Sequence, residues 1–143
     1  MALVNYAGAT IRASAATSGT SDQDDQVTIP ESVSSIWVVV NKTAEFDADN
    51  VLTVRLQALI NAIWFDLAWD SIVTTGALAT AADTAATVVR TPNIVDASTA
   101  ATFTILAHYA ELPSNVVRTV WVASGTTPAH TFSAEATFAL SKP

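Results

Sequence analysis

The sequence predicts an all-β domain: an antiparallel β-sandwich or jelly roll of about eight strands, with at most short helical turns. Apolar and polar residues alternate with period two in several segments, turn-forming residues separate these segments, and a helical period is rare. The chain has 143 residues, within the range of one domain, and no cysteine, so no disulfide contributes. We therefore expect one domain, with residues 1–10 as an N-terminal arm and residues 11–143 as the sandwich.

The individual strands follow from these period-two segments in chain order. Residues 35–43 are β-branched and aromatic, which predicts a central strand buried on both faces. The other strands are predicted from apolar faces formed by Leu52, Val54 and Leu56, by Phe103, Ile105, Ala107 and Tyr109, by Val116, Val120 and Val122, and by His130, Phe132, Ala134, Ala136, Phe138 and Leu140. Arg118 interrupts the face of Val116, Val120 and Val122, and the opposite face of this strand carries Val117, Thr119, Trp121 and Ala123. Turns are expected at residues 45–50, 112–115 and 125–128.

Two segments also fit a helix. Residues 55–66 contribute most of a stripe at helical spacing, made of Leu56, Leu59, Ile60, Ile63, Trp64 and Leu67. Residues 77–86 are rich in alanine and could form a helical turn. A short amphipathic helix at residues 55–66 and a helical turn at residues 77–86 remain open alternatives to strands.

The composition limits the classes of function. Charged residues make up 13% of the chain, the net charge is −7 and the mean hydropathy is +0.37. Only six basic residues are present, and they are scattered, so we expect no nucleic-acid binding. The apolar stretches are too short to span a membrane, and residues 1–5 lack the pattern of a signal peptide. A surface this poor in charge suggests that other protein subunits cover part of it.

Two acidic loops have the oxygen-rich composition of calcium sites. One contains Asp22, Asp24 and Asp25, and the other contains Asp47, Asp49 and Asn50. Neither has the turn glycine and closing acid of an EF-hand, so we expect solvated turns. His108 and His130 show no spacing typical of metal ligands.

Catalytic motifs are equally weak. No serine lies in a Gly-x-Ser-x-Gly sequence, and a cysteine nucleophile is excluded. Glu111 and Glu135 are candidates for a carboxylate pair by residue type alone. The sequence predicts no enzyme, no catalytic residue and no cofactor.

The four tryptophans provide candidates for a binding surface. We expect Trp37 and Trp64 in the core, because tryptophan side chains dominate core packing. Trp69 and Trp121 are candidates for an interface or a sugar-stacking platform, since Trp121 lies opposite Val120 and Val122. The predicted interface residues are Trp69, Trp121, Met1, Leu3 and Tyr6.

Several segments together resemble a family. They are Ser18-Gly19-Thr20-Ser21, the strand at residues 35–40, the run at residues 52–57 that leads to Trp64-Phe65-Asp66-Leu67, and Gly125-Thr126-Thr127-Pro128-Ala129-His130-Thr131-Phe132-Ser133. In these segments the chain resembles the small β-sandwich virion proteins of tailed phages, and the residues from Gly125 to Ser133 are the most specific part. The family usually has a tight Asp-Gly hairpin before the tryptophan, whereas this chain has Leu59-Ile60-Asn61-Ala62-Ile63.

The resemblance implies a head decoration, or cement, protein. Such a protein is made in the host cytoplasm and binds the outer surface of the phage head, where it bridges capsomers. The implied partners are the major capsid protein and further copies of the chain, with a trimer favoured. Alternatives are a structural protein of the phage neck or tail and a carbohydrate-binding module.

Overall fold

The computed structural model of the chain describes residues 4–17, 21–45, 51–75, 94–96, 103–124 and 130–141. These ranges contain strands in two antiparallel sheets and no helix. Sheet A consists, in spatial order, of β1 (Val4–Ala16), β11 (His130–Ser141), β4 (Ile36–Glu45), β9 (Phe103–Tyr109) and β7 (Ser71–Thr75). Sheet B has the order β2 (Ser21–Gln23), β10 (Val116–Ser124), β5 (Val51–Ile60) and β6 (Ile63–Asp66), with β3 (Val27–Thr28) beside β10 and β8 (Ile94–Asp96) beside β5.

The two sheets pack together, so the predicted antiparallel β-sandwich is confirmed. The described ranges hold more strands than the expected eight, because β2, β3 and β8 are only two or three residues long. The jelly-roll variant stays a prediction. The helical alternative for residues 55–66 is wrong, and residues 77–86 lie outside the described residues.

The core lies between the sheets and follows the period-two pattern. On β11, His130, Phe132, Ala134, Ala136 and Phe138 are all buried. Sheet B contributes the alternate residues Leu52, Val54, Leu56 and Ala58 from β5 and Val117, Thr119, Trp121 and Ala123 from β10. Within the described residues, no helix is long and apolar enough to cross a membrane.

β1 continues across the boundary expected after residue 10. Val4 to Thr10 pairs with β11 in one unbroken register, from Val4 opposite Ser141 to Thr10 opposite Glu135. Ladder hydrogen bonds and the partial burial of Ala7 and Ala9 against the core therefore hold this segment on its own sheet.

A β-bulge after Thr10 turns two consecutive side chains inward. The register shifts by one residue between Thr10 and Arg12, and both Ile11 and Arg12 are buried. A bulge places an extra residue on one strand, which lets neighbouring side chains escape the usual alternation. The bulge thus brings a guanidinium into the sandwich.

Buried Arg12 links the two sheets. Its Nη1 lies 2.5 Å from Oδ1 of Asp24, its Nε donates to the carbonyl of Phe132 at 3.2 Å, and its Cζ lies 4.2 Å above the Phe132 ring. The second oxygen of Asp24 accepts a hydrogen bond from the buried hydroxyl of Thr119 on β10. Each charged atom of the ion pair therefore has a partner, which offsets the cost of removing the two charges from water.

Candidate interaction surfaces

The structure reverses the predicted roles of the tryptophans. Trp69 and Trp121 are 3% and 2% exposed and belong to the core. Trp37 is 36% exposed on the outer face of sheet A, and Trp64 is half-buried on the outer face of sheet B. Trp69 and Trp121 are therefore wrong as interface residues, and Trp37 and Trp64 are wrong as core residues.

The physical reason is that alternation separates two faces without saying which one is inside. On β10, the face with Trp121 packs against sheet A, and the other face points outward, with Val122 exposed and Val120 half-buried. Arg118 interrupts the Val122 face, and this charge was the signal that could have identified the solvent side. On β4, the β-branched run suggested burial on both faces, but Trp37 on its outer face stays partly exposed.

A trough crosses the outer face of sheet A between two aromatic side chains. It has a volume of about 470 Å³, and its lining includes Tyr6, Ser35, Trp37, Thr137 and Ala139. Tyr6 on β1 and Trp37 on β4 flank the small side chains of β11. Because neighbouring strands are about 4.8 Å apart, the two aromatic walls rise from strands roughly 10 Å apart.

A histidine–aspartate pair supports the far side of Trp37. The ring of His108 lies with its centroid 4.3 Å from that of Trp37, and its Nδ1 lies 2.9 Å from the carboxylate of Asp70. Desolvation raises the pKa of Asp70, but the hydrogen bond and charge of His108, with backbone hydrogen bonds, leave that pKa below its ordinary value. The pair holds the imidazole against the indole.

Ser71 lies opposite His108 in the β7–β9 pair, so serine, histidine and aspartate meet here. The contacts described for these residues join His108 to Asp70 but include no hydrogen bond from the Ser71 hydroxyl to the imidazole. A serine nucleophile requires such a contact with its base. The contacts described for His108 thus join it to Asp70 and to Trp37.

The second exposed apolar surface is the β5–β6 hairpin, which we call the hairpin patch. Ile63 and Phe65 are 58% and 47% exposed. In the register of the hairpin they lie opposite Ile60 and Ala58, so they share the core side of sheet B. The inward face of sheet B thus continues onto β6 as exposed apolar surface.

The turn of this hairpin is tight although it lacks glycine. Asn61 and Ala62 are its two loop residues, with φ of 50° and 64°. Positive φ at both positions defines a type I′ turn, which matches the twist of the flanking strands. The departure from Asp-Gly therefore leaves the tight hairpin in place, with a strained alanine at its second position.

Polar groups cover the outer face of sheet B near the same hairpin. The guanidinium carbon of Arg118 lies 4.1 Å from the centre of the Trp64 ring, and its Nε donates to Gln57 at 2.9 Å. Gln57 and Arg55 both donate to Asp66, at 2.9 and 3.0 Å. Trp64 thus lies under a polar network that spans β10, β5 and β6.

The remaining candidates do not converge on a site. In the first acidic loop, Asp24 is bound to Arg12 and Thr119, while Asp22 and Asp25 are exposed. Within the described residues, no three acidic or histidine side chains come together as metal ligands. Glu135 accepts a hydrogen bond from Thr10 at 2.9 Å. The second acidic loop, at residues 47–50, lies outside the described residues.

Of the predicted interface residues, Tyr6 is the one that the structure places on an open surface. It is 77% exposed, whereas Met1 and Leu3 lie outside the described residues. No family model, no curated protein and no solved structure matches this chain.

Proposed function

We propose that the chain is a structural protein of a phage particle that decorates the outer surface of the head. In this role it has no chemical turnover of its own and works by binding the major capsid protein. The resemblance of several segments between residues 10 and 140 to virion sandwiches supports the class of function. The hairpin patch supports a protein partner, because it exposes two large apolar side chains on a chain with few charges.

The hairpin patch carries the proposal. Ile63 and Phe65 lie on β6, the edge strand that follows the two-residue turn, and they point to the same side as the core residues of β5. A partner can cover them there without disturbing the sandwich. Full burial of such side chains contributes about 1.5–3 kcal/mol each, before the entropy cost of association. On a phage head the same modest contact is repeated many times. A subunit that is held at one contact therefore meets neighbouring sites at a high effective concentration, which strengthens its binding.

Binding to heads that lack the protein tests this role. The double variant Ile63→Ser and Phe65→Ser should lower the amount that sediments with such heads at least tenfold, with unchanged thermal unfolding. Val122→Ser is the matched control, because Val122 is also exposed but lies on the outer face of sheet B. If the double variant binds the heads as well as Val122→Ser does, the hairpin patch is not the surface that contacts the head.

The location in the particle is a separate test of the same proposal. Cryo-electron microscopy of the virion should show density for the chain on the outside of the head. Density in the neck or tail would replace decoration with the alternative virion role. Absence of the chain from purified virions would overturn both.

A second candidate function is carbohydrate binding, and the trough favours it. The trough is lined by the two aromatic side chains and by Ser35 and Thr137, whose hydroxyl groups offer hydrogen bonds to a neutral sugar that stacks on the rings. Trp37→Ala should abolish any signal on a glycan array, whereas Val122→Ala should preserve it. An array with no signal for the wild-type protein would remove this candidate.

A further inference from the structure

The free edge of β1 is unusual among the described strands. β1 is the first strand of sheet A, with β11 on one side and no described strand on the other. From Val4 to Thr10 it is straight in register, and the bulges begin only beyond Thr10. Such an edge presents a row of backbone N–H and C=O groups that can pair with another strand.

The other described edges carry features that discourage pairing. β2 has three residues and includes Asp22, β6 has four and includes Asp66, and β7 has five. Shortness and charge are common protections of exposed edges. Residues 4–10 of β1 have the sequence Val-Asn-Tyr-Ala-Gly-Ala-Thr, which contains no charge and no proline.

We propose that this edge pairs with the same edge of a second copy, antiparallel, about a two-fold axis at Ala7. In an antiparallel pair, two side chains that lie directly opposite each other point to the same face of the sheet. The two-fold axis must therefore pass between two copies of the same residue, because an axis between successive residues would place an inner side chain opposite an outer one. An axis at Ala7 places Tyr6 of each copy opposite Gly8 of the other, so the pair occurs twice in the dimer. An axis at Tyr6 would oppose the two tyrosines, and an axis at Gly8 would oppose the two glycines.

The shapes of these residues favour the register at Ala7. Tyr6 is 77% exposed, and Gly8 on the same outer face has no side chain, so the ring of one copy can lie over the glycine of the other. An aromatic ring over a strand glycine is a known stabilising pair across a sheet. The product is a two-fold dimer with one continuous sheet, whereas a trimer would need a different, heterologous contact.

A pairing of seven residues buries less surface than a standard interface of about 1,600 Å². The dimer should therefore depend on protein concentration. The net charge of −7 on each copy opposes association, but the edge itself is uncharged. Salt at about 0.15 M reduces that repulsion beyond roughly 8 Å.

Cysteine cross-linking tests the register directly, because the chain has no cysteine of its own. In Ala7→Cys the two introduced residues face each other with Cα atoms about 4.5–5.5 Å apart, within disulfide range. In Ala9→Cys they lie four positions apart along the strands, about 13 Å, which is out of range. Mild oxidation should give a covalent dimer for Ala7→Cys and not for Ala9→Cys.

A mixture sharpens this test. The register places Asn5 opposite Ala9 of the second copy, so Asn5→Cys and Ala9→Cys should cross-link with each other but not alone. Equal cross-linking of all variants would indicate random collision and overturn the proposal. No cross-linking of Ala7→Cys would also overturn it.

Sedimentation over a range of protein concentrations tests the contact without cysteine. The wild-type chain should reach dimer mass, and Tyr6→Lys should raise the dimer dissociation constant at least tenfold. Val122→Lys adds the same charge on sheet B and should leave that constant unchanged. If the wild-type chain is monomeric at every concentration, the proposed pairing with a second copy is wrong. The edge of β1 would then be open to a strand of another protein.

Discussion

Tryptophans occur both in the core of this sandwich and on its outer faces, where their surroundings differ. Trp69 and Trp121 are buried between the sheets, while Trp37 and Trp64 lie on the outer faces. Trp64 is covered by Arg118, and Trp37 forms one wall of an open trough. An aromatic residue in a strand therefore indicates core packing only when the side of the sheet on which it lies is known.

Ion pairs show the same contrast. The Arg12–Asp24 pair has side chains 8% and 18% exposed, and both charged groups make further hydrogen bonds. The Arg55–Asp66 pair on the outer face is about one third exposed at both ends. Burial makes the first pair costly to break, and water makes the second nearly dispensable.

The largest expected effect is the loss of a core tryptophan. Trp121→Ala should lower the free energy of unfolding by about 4 kcal/mol, because it leaves a large cavity between the sheets. Trp37→Ala should cost less than about 1 kcal/mol, since its ring is already partly in water. Urea unfolding of both variants measures the difference, and equal losses would contradict the assignment of inner and outer faces.

The buried ion pair comes next. Arg12→Ala should lower the stability by about 3 kcal/mol, because Asp24 is left charged and poorly hydrated. Arg55→Ala is the matched change on the outer face and should cost less than about 0.5 kcal/mol. The prediction fails if chemical denaturation gives the two variants the same midpoint.

The hairpin turn offers a smaller effect, and this one increases stability. Ala62→Gly should stabilise the fold by about 1 kcal/mol, because relief of roughly 1–2 kcal/mol of left-handed strain exceeds the roughly 0.5–1 kcal/mol entropy cost of glycine. Asn61→Gly should gain less, since asparagine tolerates positive φ. Thermal unfolding should show a higher midpoint for Ala62→Gly, and a lower midpoint would contradict the type I′ turn.

The smallest effect concerns pH and the outer face. The pKa of Asp70 is lower in the folded chain than its ordinary value, so the unfolded chain binds more protons in the interval between the two values. The contribution of Asp70 to stability is therefore present well above its ordinary pKa and lost as the pH falls through the folded pKa. Asp70→Asn should flatten the acid limb of a stability–pH curve, and an unchanged limb would show that the contact with His108 carries no weight.

Part of this molecule was predictable from the sequence because it depends on local geometry. On β11 and β9 one face is apolar and the other is mostly polar, so alternation alone assigned Phe132, Phe138, Ile105 and Tyr109 to the core, and all four are buried. The Asn61–Ala62 turn is local too, but it was not predicted, because residues 55–66 also fit a helical stripe.

The class of fold and the alternating faces follow from the sequence alone, because backbone geometry places successive side chains of a strand on opposite sides. On β4 the choice of the inner face depends on how the two sheets pack, since both faces are apolar enough to be buried, whereas on β10 the charge of Arg118 marks the outer face. The inward direction of Arg12 also depends on the tertiary structure. A β-bulge in β1 breaks the alternation, and Asp24, which lies in a loop, forms an ion pair with the guanidinium. The free edge of β1 likewise emerged only when the strand order was known, because a strand has no edge until its neighbours are placed.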